Sequence, residues 1–154
     1  MDEPPHYKQP DWFTQHIVNP AVAGLTRAGV SVLGSRVLRV LRVRGRKSGE
    51  WRETPVNLLP LDGNHYLVAP RGETQWVRNL RVSGEGELRV GRRSQSFTAE
   101  EIAEEDKVAV LRAYLARWRW EVGAFFGGVG PKSSDAEILS EGRHHPVFTL
   151  QLAD

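Results

Sequence analysis

The sequence predicts an antiparallel α+β domain, a small barrel of about six short strands with flanking helices, and three observations carry that prediction. Tight-turn signals separate alternating segments at Gly45-Arg46-Lys47-Ser48-Gly49 and at Asp62-Gly63-Asn64. One long amphipathic helix covers residues 104–120. Hairpin connections dominate, which argues against a doubly wound parallel sheet.

The elements follow in order. Asp11 is a plausible N-cap for a helix bearing Trp12, Phe13, His16 and Ile17 on one stripe, and Asn19-Pro20 interrupts it. A second short helix ends near Gly29 or Gly34. Val37 to Val43 reads as a largely buried strand with Leu41 and Val43 on one face and Val40 and Arg42 on the other. The Gly45–Gly49 turn leads into a second strand from Trp51 to Leu61, and the Asp62-Gly63 turn into a third from His65 to Ala69. Pro70-Arg71-Gly72 breaks that ladder. Thr74 can cap a short helix carrying Trp76, Val77 and Leu80 on one face, and Ser83-Gly84 ends it. Leu88 to Val90 and Ser96 to Ile102, joined by Gly91-Arg92-Arg93, form a further hairpin. Helix 104–120 places Val108, Leu111, Leu115 and Trp118 on one stripe, with acids in its first turn and Arg117 and Arg119 in its last. A short helix around Ser134 to Leu139 and a strand from His145 to Leu152 close the chain. The expected organisation is one domain over 1–154, with an N-terminal helical segment at 1–34, a barrel core at 35–102, and a helix and closing strand at 103–154.

Composition narrows the chemistry. Hydrophobic residues make up 40% and charged residues 26%, as expected of a globular domain able to bury a core without staples. With no cysteine, disulfides, thiolate metal sites and cysteine nucleophiles are excluded. No apolar run approaches the ~20 residues of a membrane-spanning helix, and the first ten residues carry no signal-peptide core, so a cytoplasmic location is the default expectation. The formal charge of +2 is uneven: residues 34–93 hold thirteen basic against six acidic side chains, whereas residues 94–154 hold six against ten. A basic middle could line an anion site, although scattered arginines on a solvated strand face give the same count. No Walker loop and no nucleophile elbow appears, so NTPase and hydrolase chemistry start low. His144 and His145 would face opposite sides of a strand, an awkward arrangement for joint metal ligation, and no metal site is expected.

Two segments carry chemistry. Gly45 to Gly49 with Arg52 gathers backbone N–H groups, a hydroxyl and three cations, and could grip an anionic tail; a solvated hairpin turn accounts for the same residues. Ala69 to Trp76 runs from a strand through a glycine loop into a helix N-terminus, a ready anion site beside Arg71.

These segments, in the order Val43–Gly49, Arg52, Thr54-Pro55-Val56 and Leu67–Leu80, resemble the deazaflavin-dependent nitroreductase family across residues 12–82, and the closing His145-Pro146-Val147-Phe148 is similar to the family's end. The resemblance implies a split β-barrel that binds the 8-hydroxy-5-deazaflavin coenzyme F420. By position, Arg46, Lys47, Ser48 and Arg52 would hold its phosphate and oligoglutamate tail. Thr54, Pro55, Val56, Ala69, Pro70, Arg71 and Gly72 would flank the ring, with Trp76 and Asn79 bracing the loop. Two departures stand out. Some members carry a serine where this chain has Pro70, which offers neither hydroxyl nor N–H. The C-terminal tyrosine cluster of nitroimidazole-reducing members is also missing, since the only tyrosines are Tyr7, Tyr66 and Tyr114.

The function expected is hydride transfer to an electron-poor acceptor such as a quinone, enone or nitroaromatic. The proton sources considered are solvent, His65 and Tyr66, while His16 and the Trp118/Trp120 pair could border the acceptor. The rival readings are an FMN enzyme on the same barrel and a non-catalytic deazaflavin carrier. The partner expected is a small-molecule acceptor; a homodimer is compatible with the reading, and no nucleic acid is expected.

Overall fold

A computed structural model describes residues 39–153. The N-terminal helical reading, with Asp11, His16 and Tyr7, lies outside the described residues. The strands are β1 (Arg39–Arg44), β2 (Trp51–Val56), β3 (Leu58–Leu61), β4 (Asn64–Val68), β5 (Glu85–Val90), β6 (Arg93–Glu101) and β7 (Val147–Leu152). The helices are α1 (Gln75–Ser83), α2 (Lys107–Val122) and α3 (Asp135–Gly142), with single 3-10 turns at Glu104–Asp106 and Gly123–Phe125.

All seven strands join one sheet in the order β2-β1-β5-β6-β7-β4-β3, and every neighbouring pair is antiparallel. Strands β2 and β3 sit at opposite ends of that order although only Asn57 separates them in the chain. The expected single strand from Trp51 to Leu61 therefore bends at Asn57, pairing with β1 through its first half and with β4 through its second. This bend makes seven strands out of six and draws the sheet into the curl of a split barrel. The Asn57 side chain is held at the bend by donating to Glu121 Oε2 of α2 at 3.2 Å.

The turns obey local backbone rules. Asp62 and Gly63 both take positive φ, 52° and 82°, as a two-residue hairpin requires when Leu61 pairs with Asn64. Pro60 removes a ladder donor, and it is tolerated because β3 is an edge strand. Gly86 is required by close approach: a Cβ there would meet the Arg42 carbonyl oxygen at 2.6 Å and the Phe97 ring at 2.9 Å.

Strand alternation sorts apolar residues into two cores. Leu41, Val43, Leu58, Leu67, Leu88, Phe97, Phe148 and Leu150 point inward, where Val77 and Leu80 of α1 plug the barrel. Their alternate neighbours Leu59, Val68 and Val147 face outward and pack under Leu111, Tyr114, Leu115 and Ile138 of α2 and α3. Each fully buried aliphatic side chain contributes about 1.5–3 kcal/mol.

The C-terminal elements differ from expectation in detail. The acidic first turn of the predicted 104–120 helix is a separate 3-10 turn, and α2 proper begins at Lys107. Its buried stripe runs through Val110, Leu111, Tyr114, Leu115 and Trp118 and leaves Val108 half-buried, and the helix is kinked at Trp118, which sits at φ −127° and ψ 19°. Trp118 is core, as its position on the stripe implies, and Trp120 is 72% exposed. The last strand starts at Val147, so His144 and His145 are not strand residues and do not alternate across a sheet. Among the described residues no group of three or more metal-ligating side chains gathers, and no helix is long and apolar enough to cross a membrane.

Candidate functional site

The β1–β2 turn and the segment from β4 into α1 converge on one cleft of about 490 Å³. The turn is rigid. Gly45 N–H donates to the Glu50 carbonyl and Gly49 N–H to the Gly45 carbonyl, both at 2.8 Å, and Gly49 adopts φ 75°. The Ser48 hydroxyl accepts from Glu50 N–H at 3.1 Å, and a side chain at Gly45 would press on that hydroxyl at 3.0 Å.

Asn79 fastens the turn to the helix. Its Oδ1 accepts from Arg46 N–H at 3.1 Å and from Arg46 Nη1 at 2.8 Å, while Gln75 Oε1 accepts from the same Nη1 at 2.9 Å. Asn79 is only 4% exposed, so these bonds satisfy a buried amide oxygen facing a cation. Trp76 packs on the inner core with its ring 6.0 Å from Phe148. The other end of α1 is closed by Gly84 at φ 68°, whose N–H returns to the Leu80 carbonyl. Arg81 ties the helix to β6 and to the preceding loop through Glu101 at 2.7 Å and Glu73 at 3.2 Å. Its hydrogen bonds to Glu101 raise the guanidinium pKa against the opposing effect of burial.

Thr74 occupies the N-cap of α1, but its hydroxyl makes no capping bond and is buried without a hydrogen-bond partner in the cleft wall. The cap expected from sequence is therefore positional only: ψ near 180° keeps the backbone extended, and the residue lines the cleft without capping the helix. A buried hydroxyl left unbonded costs about 1–3 kcal/mol, and a polar ligand atom would offset that. The N–H groups of the first turn of α1 add donors and a positive dipole end at the same wall.

Of the positions read from sequence, Arg46, Lys47, Ser48, Arg52, Thr54, Arg71, Trp76 and Asn79 line the cleft. Pro55, Val56, Ala69, Pro70 and Gly72 do not. Pro55 pairs with Val40, further along β2 from the turn, Val56 and Ala69 are taken up by the inner core, and Gly72 turns against the His144 carbonyl. His65 and Tyr66 also stand apart from it: His65 lies in β4 opposite Leu150, and Tyr66 packs on the outer core. Val43, Gly45, Glu53, Thr74 and Gln75 complete the lining, and none of the five was among the expected site residues. Thr74 and Gln75 were visible as polar residues opening a helix, whereas nothing local in the sequence marks Glu53. Its carboxylate is engaged by Arg42 at 3.0 Å and Arg89 at 3.7 Å, which leaves the cleft dominated by Arg46, Lys47, Arg52 and Arg71.

Known proteins share both sequence pattern and fold. A family model described as F420H(2)-dependent quinone reductase matches residues 25–120. A solved F420-H2 dependent reductase, FDR-A, is 19% identical at a TM-score of 0.52, covering 80% of this chain and all of its own. A domain-swapped dimer is 21% identical at 0.54, covering 92% and 98%. The heme storage protein HutZ from Vibrio cholerae shares the fold at 10% identity and a TM-score of 0.50, covering 89% and 91%. No curated protein matches the sequence. The structural likenesses establish the split barrel across different ligand chemistries. The family match spans most of the barrel and both cleft-forming segments, so the chain belongs to the F420H(2)-dependent quinone reductase family, an oxidoreductase whose coenzyme is F420.

Proposed function

We propose that this reductase passes reducing equivalents from bound F420 to a quinone, with enones and nitroaromatics as poorer acceptors, and that the cleft between the β1–β2 turn and α1 holds the coenzyme. The observation that carries the reading is the gathering of Arg46, Lys47, Arg52 and Arg71, with the unbonded Thr74 hydroxyl, around one cleft. Those groups fit a ligand with a phosphate and several carboxylates.

When bound, the reduced coenzyme supplies a hydride. The protein's part is orientation. Lys47 and Arg52, exposed at the turn, bind the tail; Arg46, pinned by Asn79 and Gln75, presents its remaining N–H groups to the phosphate. Arg71 and Trp76 border the ring, and Thr74 donates to a polar atom of the ligand. A quinone that accepts one hydride needs one proton to leave as the hydroquinone, and water supplies it, because Pro70 can donate nothing and neither His65 nor Tyr66 lines the cleft. An active unit of two chains is compatible with this reading.

The test is fluorescence titration with F420 and with FMN, followed by steady-state oxidation of the reduced coenzyme. Tighter binding of F420, with turnover of a quinone, is the expected result. Preference for FMN, or binding without turnover of any acceptor, overturns it in favour of the flavin enzyme or the carrier.

A further inference from the structure

A side-chain pair behind the second loop, His145 buried and Glu141 half-buried, has no part in the scheme above. His145 is 1% exposed and stacks on Phe126, with ring centres 3.9 Å apart and planes 15° apart. Its Nδ1 lies 3.2 Å from the Ala69 carbonyl oxygen and its Nε2 lies 2.7 Å from Glu141 Oε2. Proton counting decides what these contacts are. A carbonyl oxygen only accepts, so Nδ1 carries a proton. The Nε2–carboxylate contact likewise needs one proton between its two atoms, whether it is drawn as imidazolium with carboxylate or as imidazole with carboxylic acid.

The bond to Ala69 falls where the cleft loop begins. The Ala69 carbonyl also accepts from Gly72 N–H at 3.3 Å, and Ala69 N–H donates to the Pro146 carbonyl at 2.9 Å. Gly72, at φ 88°, leaves room for only 3.4 Å between a would-be Cβ and the His144 carbonyl. The loop that carries Arg71 into the cleft is thus fastened from behind by the segment between α3 and β7, and Glu141, on α3, fixes the imidazole that does the fastening.

We propose that Glu141 and His145 form a positioning pair that holds the Ala69–Gly72 loop, and with it Arg71, in its coenzyme-binding geometry. The pair touches neither coenzyme nor acceptor; the inference rests on the cleft being the coenzyme site. Glu141 acts through His145, since it aligns the ring rather than meeting the loop. A second consequence follows from the proton count. Glutamine at 141 can donate its amide N–H to an unprotonated Nε2, keeping the ring in place without the shared proton, whereas alanine cannot.

Three variants test this: His145→Phe, which keeps the stack on Phe126 and removes both hydrogen bonds, Glu141→Ala and Glu141→Gln. The readouts are hydrogen exchange at the Gly72 amide, the Kd for F420 and the Tm. His145→Phe and Glu141→Ala are expected to speed Gly72 exchange and raise the Kd, each about tenfold, the scale of one lost hydrogen bond. Glu141→Gln is expected to stay within about threefold of wild type in both, at any Tm. Unchanged Gly72 exchange in His145→Phe overturns the proposal, as does a Glu141→Gln variant as impaired as Glu141→Ala. Wild-type protein that does not bind F420 refutes the functional reading instead, and the exchange measurements then decide the bracing by themselves.

Discussion

Thr74 shows how one side chain separates folding from binding. Its hydroxyl is buried without a partner, so Thr74→Val, which keeps the shape, should leave the Tm unchanged or raise it slightly while weakening F420 by about 1 kcal/mol. Calorimetry with fluorescence titration checks both halves, and a fall in Tm with unchanged affinity would refute them. Lys47→Ala and Arg52→Ala should each weaken F420 by about 1–3 kcal/mol through lost charge-assisted bonds, with wild-type affinity falling as salt rises. Equal affinity in both variants returns the turn to a solvated hairpin. At this scale the sequence was readable where chemistry is local: Arg46, Lys47, Ser48 and Arg52 stand together in one turn, and that turn lines the cleft. The different places of Glu53 and Pro55 were not readable, because the two share one face of β2 and differ only in their distance from the turn, which the pairing with β1 sets.

Elements were legible in proportion to the strength of their end signals. Gly84 at the end of α1 and Asp62-Gly63 between β3 and β4 behave as their residue types demand. The bend at Asn57 was hidden, since Trp51 to Leu61 carries no glycine and each half pairs with its own hairpin neighbour, as the ends of one continuous strand would also do. The start of α3 is a capping box that was missed as such: Ser134 Oγ accepts from Glu137 N–H at 3.1 Å while Glu137 Oε1 accepts from Ser134 N–H at 2.9 Å. That backbone donor, and then the Ser134 hydroxyl, hold the Glu137 carboxyl below the usual carboxylate range. A folded-state pKa below the unfolded value gives a stabilising contribution that is present above the ordinary carboxylate range and is lost as pH falls through the folded value. An NMR titration should therefore show Glu137 protonating at lower pH than an unstructured glutamate, with most of the depression surviving in Ser134→Ala, whose backbone N–H remains. In β5, Gly86→Ala must displace the Arg42 carbonyl or the Phe97 ring and should cost about 1–3 kcal/mol, read from urea unfolding.

At the scale of the molecule, the two cores divide the labour: the inner one, plugged by α1, sets the distance between the two cleft segments, and the outer one fixes α2 and α3 behind the sheet. That division bears on which acceptor is reduced, because it dictates which side chains can reach a reacting ligand. Among the described residues no tyrosine and no histidine lines the cleft: Tyr114 is 2% exposed in the outer core, Tyr66 packs on the same layer, and His145 is committed to Glu141 and Ala69. A nitro group taken beyond the first hydride needs several protons delivered as negative charge builds on its oxygens, so its rate depends on an acid held close to them. A quinone needs a single proton on an oxygen that water reaches, and its reduction is less sensitive to that gap. Turnover of a quinone by the reduced coenzyme should accordingly exceed that of a nitroimidazole by about tenfold or more, the lower end of what a positioned general acid contributes elsewhere being about a hundredfold. Loss of the reduced coenzyme's absorbance, followed with a quinone, an enone and a nitroimidazole at equal concentration, measures the ratio. A nitroimidazole reduced as fast as the quinone would mean that a proton donor reaches the acceptor from outside this cleft lining, and the assignment of water to that role would fail.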